Sequence, residues 1–281
     1  PLISLLLKAN VPIAYLSYYG KYKGRLVPEY SKNSLLRIKQ FEAHDNHKFC
    51  VEITRKIIEG KLTNMRTLVM RDTRRDRNAK VDQVLTKMKY IINKLSKVKD
   101  IEKLRGYEGM GSRYYFSVFD SILNAEFKFK KRTRRPPRDP INCLLSFGYT
   151  LLLNDVLAAL YIVGFDPYIG FFHSNQYGKP SLGLDLMEEF RAVIIDSVVK
   201  TMVNKEMLSE NDFENVYGTV KMKEKARNKY LQQYEQRLRT KITHPVFNYK
   251  ISWRKAIELQ ARLVNKLVTG EIKDYTPLVV R

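Results

Sequence analysis

Residues 141–165, INCLLSFGYTLLLNDVLAALYIVGF, are the most apolar stretch of the chain and set its architecture. A stretch of this length can cross a bilayer as a helix, which takes about 20 apolar residues. Asn154 and Asp155 stand near its middle, however, and Asn142, Ser146 and Gly148 lie in its first half. A central Asp costs about 2.5–3.5 kcal/mol on insertion scales. The segment therefore reads as the fully buried central helix of a helical domain, apolar around most of its circumference because neighbours pack on every side.

On both sides of it, apolar residues recur at helical steps of three and four. Leu35, Leu36, Ile38 and Phe41 begin one face, Val51, Ile53, Ile57 and Ile58 a second, and Val81, Val84, Leu85, Met88, Ile91, Ile92 and Leu95 a third. Further helices are expected at about 105–124, 138–163, 184–203, 219–240 and 251–269. No internal repeat or low-complexity linker interrupts them. The first 30 residues differ: NVPIAYLSYYGKYKGRLVPE (10–29) predicts two short strands, about 11–17 and 21–27, joined by a turn. A lone hairpin is only marginally stable, so these strands are expected to end a larger sheet or to pair with another chain. The missing initiator Met agrees with a start inside a longer polypeptide. The expected fold is mainly α, with residues 1–30 the last strands of a small N-terminal β domain and residues 31–281 an α-helical domain.

At 281 residues and 44% apolar, the chain has enough material for a core and is not a disordered basic tail. Lys and Arg number 51 against 29 acids, a formal charge of +22. Such a balance implies a polyanionic partner, nucleic acid first and an anionic membrane surface second. The charge is clustered. KFKKRTRRPPR at 128–138 holds seven basic residues and no acid, and its two prolines make it a loop. Lys130, Lys131, Arg132, Arg134, Arg135 and Arg138 are the phosphate-contact candidates there, because cations of this kind give affinity without sequence information. Arg71, Arg74, Arg75, Arg77 and Lys80 form a second cluster, and the Lys/Arg-rich run at 221–241 reads either as a third or as a solvated helix face. Cys50 and Cys143 read as buried free thiols of a reducing compartment. The N-terminus lacks a basic n-region and a cleavage site, so a cytoplasmic location is expected. There is no G-x-S-x-G elbow, P-loop or dinucleotide fingerprint, which disfavours covalent catalysis and nucleotide hydrolysis.

The chemistry concentrates in GFDPYIGFFHSNQYGKPSLGLDLMEEFR, residues 164–191. His173 ends an apolar run, a turn-rich loop follows, and Asp185, Glu188 and Glu189 arrive at the start of a helix. Spacings of three and four put those acids on one face. Imidazole with carboxylates is the ligand set a divalent cation uses for phosphodiester chemistry; the alternative for Asp185 is to cap its helix. A third carboxylate, Glu108 in LRGYEGMGSRYYF, stands among Gly106, Gly109 and Gly111. Three glycines disfavour a helix by roughly 1 kcal/mol each relative to Ala, a cost tolerated where another backbone or a ligand must come close. His44, His47 and Cys50, three apart, are a weaker metal candidate without a fourth ligand.

These stretches resemble a known family. DPINCLLSFGYTLLLNDVLAALYIVGFDPYIGFFH followed by YGKPSLGLDLMEEFR, the GYEG around Glu108, and Arg138, Asp139, Pro140 and Asn142 as RDP-x-N are similar to the CRISPR-associated integrase that acquires new spacers. The resemblance runs from about residue 5 to the C-terminus and implies an N-terminal β domain ahead of a helical catalytic domain. It implies a homodimer, two of which flank a small companion adaptation protein, and joining of 3′-hydroxyl DNA ends to a CRISPR repeat. By position, Glu108, His173 and Glu188 match the ligands of magnesium or manganese, Asp185 a further catalytic acid near the metal, and Lys179 a basic residue beside the site. In some branches of the family the third ligand is Asp, so Asp185 and Glu188 are open to exchanging roles. Most of the family's β domain has no counterpart here, which a fusion to another domain, such as a reverse transcriptase, would explain. The rival readings are a non-catalytic DNA-binding or architectural subunit and a transposon-encoded integrase of the same lineage.

Overall fold

The computed structural model describes residues 1–9, 13–17, 22–26, 33–123 and 127–280. The ends of the two expected strands at residues 11, 12, 21 and 27 lie outside these. A short helix, α1 (Leu2–Lys8), precedes an antiparallel hairpin of β1 (Ile13–Leu16) and β2 (Tyr22–Leu26). Arg25 of β2 ties this hairpin to the body of the protein by lying 4.2 Å over the ring of Tyr161 and hydrogen bonding its hydroxyl.

Four helices then follow the apolar periodicity: α2 (Ser34–Asp45), α3 (His47–Asp72), α4 (Ala79–Leu95) and α5 (Ile101–Ser117). Asn33, Asn46, Asn78 and Asp100 cap their N-termini through side-chain oxygens, as short polar residues do best. Asn46 breaks α2 from α3. The apolar face of α3, with Ile53, Ile57, Ile58, Leu62 and Val69 buried, packs on both α4 and α5.

The apolar segment is α6 (Pro140–Val163). Asp139 caps its start, with Asn142 N at 2.8 Å, and Pro140 occupies the first turn, where its missing N–H costs nothing. Gly164 ends it at φ +105°, a left-handed conformation that glycine adopts without strain. The polar residues in mid-helix are satisfied inside the protein. Asn154 Nδ2 donates to Thr150 O at 2.9 Å, and Asp155 accepts from Tyr234 and lies 3.7 Å from Arg254. Among the described residues α6 is the one helix long and apolar enough to cross a membrane, and more than half of its most apolar window is buried against the rest of the chain.

Beyond α6 come α7 (Ser181–Met187), a π-helical turn (Arg191–Asp196), α8 (Ser197–Asn204), the hairpin β3 (Phe213–Val216)–β4 (Thr219–Met222), α9 (Glu224–Arg239), the hairpin β5 (Lys241–Thr243)–β6 (Lys250–Ser252) and α10 (Trp253–Val268). The fold is mainly α. Three expectations change. The helix expected at 184–203 is broken after Met187 by a turn and a π-helical segment, residues 219–222 pair as a strand rather than opening α9, and α5 stops at Ser117 instead of 124. Cys50 and Cys143 are buried free thiols, pushed up by burial to about 11 and about 12.

Candidate active site

Two of the sequence candidates meet around a residue the sequence reading did not select. Lys61 of α3 has a side chain only 4% exposed, and its ammonium contacts two carboxylates. One is Glu108 of α5; the other, at 2.7 Å, is Glu188 in the turn after α7. Arg191 Nε lies 3.1 Å from the same Glu188 oxygen. Burial pushes the Glu188 carboxyl up, but Arg191, Lys61 and His173 together outweigh it and hold it at about 2. Glu108 also accepts from Ser112 Oγ at 2.9 Å, one turn along its helix.

Close packing of α3 on α5 makes this meeting possible. A Cβ at Gly111 would stand 2.5 Å from Leu62 Cδ2, so any larger residue there would force the buried Leu62 side chain to shift. Gly106 and Gly109 meet nothing within 4 Å and carry no such constraint, which narrows the glycine argument to one position of the three.

His173 is held from behind. Its Nδ1 lies 2.7 Å from Asp185 Oδ1, and Asp185 also accepts the backbone N–H groups of Phe171, Phe172 and His173 at 2.7, 3.0 and 2.9 Å. Asp185 therefore does not cap α7, which starts four residues earlier after Pro180. It caps the loop that presents His173 and fixes the ring so that Nε2 is the nitrogen left for a ligand. Other elements grip the same loop: His44 Nδ1 sits 2.6 Å from Gly170 O, Gln40 Nε2 donates to Ile169 O at 2.8 Å, and Thr54 Oγ1 donates to Phe171 O at 3.3 Å.

Asp185 and Glu188 thus serve different partners, one the loop and the other the cations. Glu189 faces away altogether. It is buried against Tyr275 OH at 2.6 Å, Leu278 N at 2.8 Å and Gln260 Nε2 at 3.0 Å, and burial pushes its carboxyl up to about 7. The break after Met187 turns these neighbouring glutamates to opposite sides.

Among the described residues, no group of three His, Cys, Asp or Glu side chains is disposed to hold a metal ion as it stands. Lys61 is the physical reason at Glu108 and Glu188, since each carboxylate faces the ammonium. In the weaker metal candidate of His44, His47 and Cys50, two of the three residues have other partners. His44 is engaged with Gly170 O and, at 3.1 Å, Asn175, and Cys50 Sγ donates to His44 O at 3.2 Å.

The basic loop is stitched to α6 by the RDP-x-N residues. Asn142 Oδ1 accepts from Thr133 N at 2.9 Å and Arg132 Nη1 at 2.7 Å, and its Nδ2 donates to Lys131 O at 2.8 Å. Arg132 turns inward, donating also to Ser146 Oγ at 3.0 Å. Lys130, Lys131, Arg134, Arg135 and Arg138 point outward and are exposed. Between this loop and α5 lies a cavity of about 410 Å³ lined by Gly109, Ser112, Arg113, Lys130, Lys131 and Arg134, next to Glu108. Lys179, half-buried, has its Nζ 3.5 Å from Ser174 Oγ, in the loop after His173.

Lys61 and Arg191 are the site residues that sequence reasoning missed. Lys61 had a signal: Cys50, Thr54, Ile57, Lys61, Asn64 and Leu68 form one stripe at alternating steps of four and three, and a lysine in a buried stripe needs a partner. Arg191 had a weaker one, standing three residues after Glu188, a spacing at which opposite charges pair on a helical turn.

Comparison with known proteins places these residues in context. The family model for the CRISPR associated protein Cas1 matches residues 1–236. A CRISPR-associated endonuclease Cas1 of Leptospira interrogans is 40% identical over 87% of this chain and 99% of its own length. One from Thermus thermophilus is 37% identical over 97% of this chain and 80% of its own. Among solved structures, a casposase bound to integration product superposes with a TM-score of 0.85 at 25% identity, covering 98% of this chain and 76% of that one.

Proposed function

The chain belongs to the Cas1 family of CRISPR-associated proteins, and from that membership we propose that it is a metal-dependent DNA integrase and endonuclease that joins the 3′-hydroxyl ends of short DNA spacers to a CRISPR repeat by transesterification. The observation that carries the reading is the convergence of Glu108, from α5, and Glu188, from the turn after α7, on one buried cationic group. The donor set fits a divalent cation: two carboxylates already share a positive charge, and Asp185 holds His173 so that Nε2 is its ligating nitrogen. Glu108, His173 and Glu188 would hold magnesium or manganese, which when bound supplies Lewis-acid polarisation of the phosphate and stabilises the leaving oxygen.

The protein's own part is positioning and charge. Asp185 keeps the imidazole in one tautomer and orientation. The exposed cations Lys130, Lys131, Arg134, Arg135 and Arg138, with Lys179 beyond His173, grip phosphates flanking the reacting one. Arg132 acts through the loop it anchors. The low pKa of Glu188 keeps that carboxylate ionised throughout the working range. Water in place of the 3′-hydroxyl gives endonuclease activity at the same site. The family resemblance further implies a homodimer and a small companion adaptation protein bridging two dimers. The likeness to a casposase favours one second reading, a transposon-type end-joining enzyme, and the preferred target sequence separates the two.

The test is His173→Ala assayed with a 3′-hydroxyl duplex, a repeat-bearing plasmid, the companion protein and magnesium. Joining is abolished while DNA binding stays within about twofold. A variant that joins ends at the wild-type rate overturns the assignment.

A further inference from the structure

Lysine is seldom buried, and here it is buried where a divalent cation is proposed to bind. Glu108 and Glu188 carry two negative charges and Lys61 and Arg191 two positive ones, so these four paired groups already balance, with Asp185 behind His173 a further carboxylate nearby. A divalent cation added beside a fixed Lys61 ammonium would bring uncompensated charge into a poorly solvated place, which the low local dielectric penalises. The two cannot occupy the carboxylate pair together on favourable terms. Arg191 is restrained by its own packing, with its guanidinium 4.6 Å over the Tyr149 ring. Lys61 has a flexible four-carbon stem and a contact to Glu108, whose side chain is 19% exposed and accepts from Ser112, a residue that lines the loop cavity.

We propose that Lys61 is a built-in counter-cation that holds Glu108 and Glu188 together in the metal-free protein and is displaced when a divalent cation binds there. The inference rests on the metal-binding reading of this site. It makes Lys61 a positioning residue with two effects of opposite sign. It prevents the carboxylates from repelling each other before the metal arrives, and it competes with the metal for the same oxygens. A lysine that only stabilises the fold would show the first effect without the second.

The experiment measures Mn²⁺ binding by calorimetry and thermal melting in EDTA and in saturating Mn²⁺, on the full chain, for wild type, Lys61→Met and Lys61→Gln. In EDTA both variants melt below wild type. Mn²⁺ binds them about tenfold more tightly than wild type and raises their melting temperature by more. In the wild-type protein, amine labelling read by mass spectrometry gives an answer that no variant's folding can obscure: Lys61 is shielded in EDTA and labels several-fold faster in Mn²⁺, while other lysines are unchanged. Equal or weaker Mn²⁺ binding by the variants, or Lys61 labelling that Mn²⁺ does not change, overturns the proposal while leaving a metal-binding wild type intact. A wild type whose Mn²⁺ binding is absent, or is unaffected by Glu108→Gln and Glu188→Gln, overturns the metal reading and this proposal together.

Discussion

Asp185→Asn is the sharpest perturbation of the loop that presents His173. The native carboxylate accepts four donors, two on each oxygen: Phe171 N and Phe172 N on Oδ2, His173 N and His173 Nδ1 on Oδ1. Asparagine keeps the shape but replaces one oxygen with an NH₂. With the NH₂ in place of Oδ2, Phe171 N and Phe172 N face a donor; with it in place of Oδ1, His173 N does, and the imidazole must switch tautomer to accept at Nδ1. A buried group left without its partner costs about 1–3 kcal/mol, so even the less costly orientation, which strands one N–H, should cost about 2 kcal/mol of folding stability. The functional loss has a second origin. The imidazole loses the acceptor that fixes its tautomer, and such outer partners are typically worth about 10–100-fold in metal affinity or activity. Urea denaturation and an integration assay on the same preparation read both numbers. A variant within about 0.5 kcal/mol of wild type that also joins DNA at the wild-type rate would refute the argument, because it would mean the loop and ring are held by something other than Asp185.

Two further outcomes are expected. Glu189, buried with its carboxyl at about 7 against an ordinary 4.5, stabilises the fold fully below pH ~4.5 and loses that contribution as pH rises through ~7, a change of about 3 kcal/mol; denaturation from pH 4 to 8 should show this slope in wild type and lose it in Glu189→Gln, and parallel profiles would contradict it. Replacing Arg134, Arg135 and Arg138 with Ala should weaken DNA binding uniformly across sequences and reduce the slope of log K against log salt by about 0.9 per lost phosphate contact; an unchanged slope would mean that the loop faces away from DNA.

Much of the fold was legible because local signals agreed. Asp139-Pro140 and Gly164 bracket α6 in the sequence as they do in the structure, and the steps of three and four in 81–95 give α4. The short hairpins at 213–222 and 241–252 were not legible, since strands of three or four residues are too short for a period of two to stand out. At the candidate site, residue types were readable but directions were not. A regular helix through 184–203 would have put Asp185, Glu188 and Glu189 on one face; instead Asp185, inside α7, faces the His173 loop, while Glu188 and Glu189, beyond its end, face Lys61 and the C-terminal segment. Arg132 looked like the other cations of its loop, and only the placement of Asn142 and Ser146 shows it turned inward.

The most direct measurement is anomalous scattering at the manganese edge from crystals of the protein grown in MnCl₂. One peak within ligand distance of Glu108, His173 Nε2 and Glu188, with Lys61 moved off both carboxylates, is the expected result. Crystals that bind manganese elsewhere, or none at all while Lys61 stays between Glu108 and Glu188, would contradict the assignment of this cluster as the catalytic metal site.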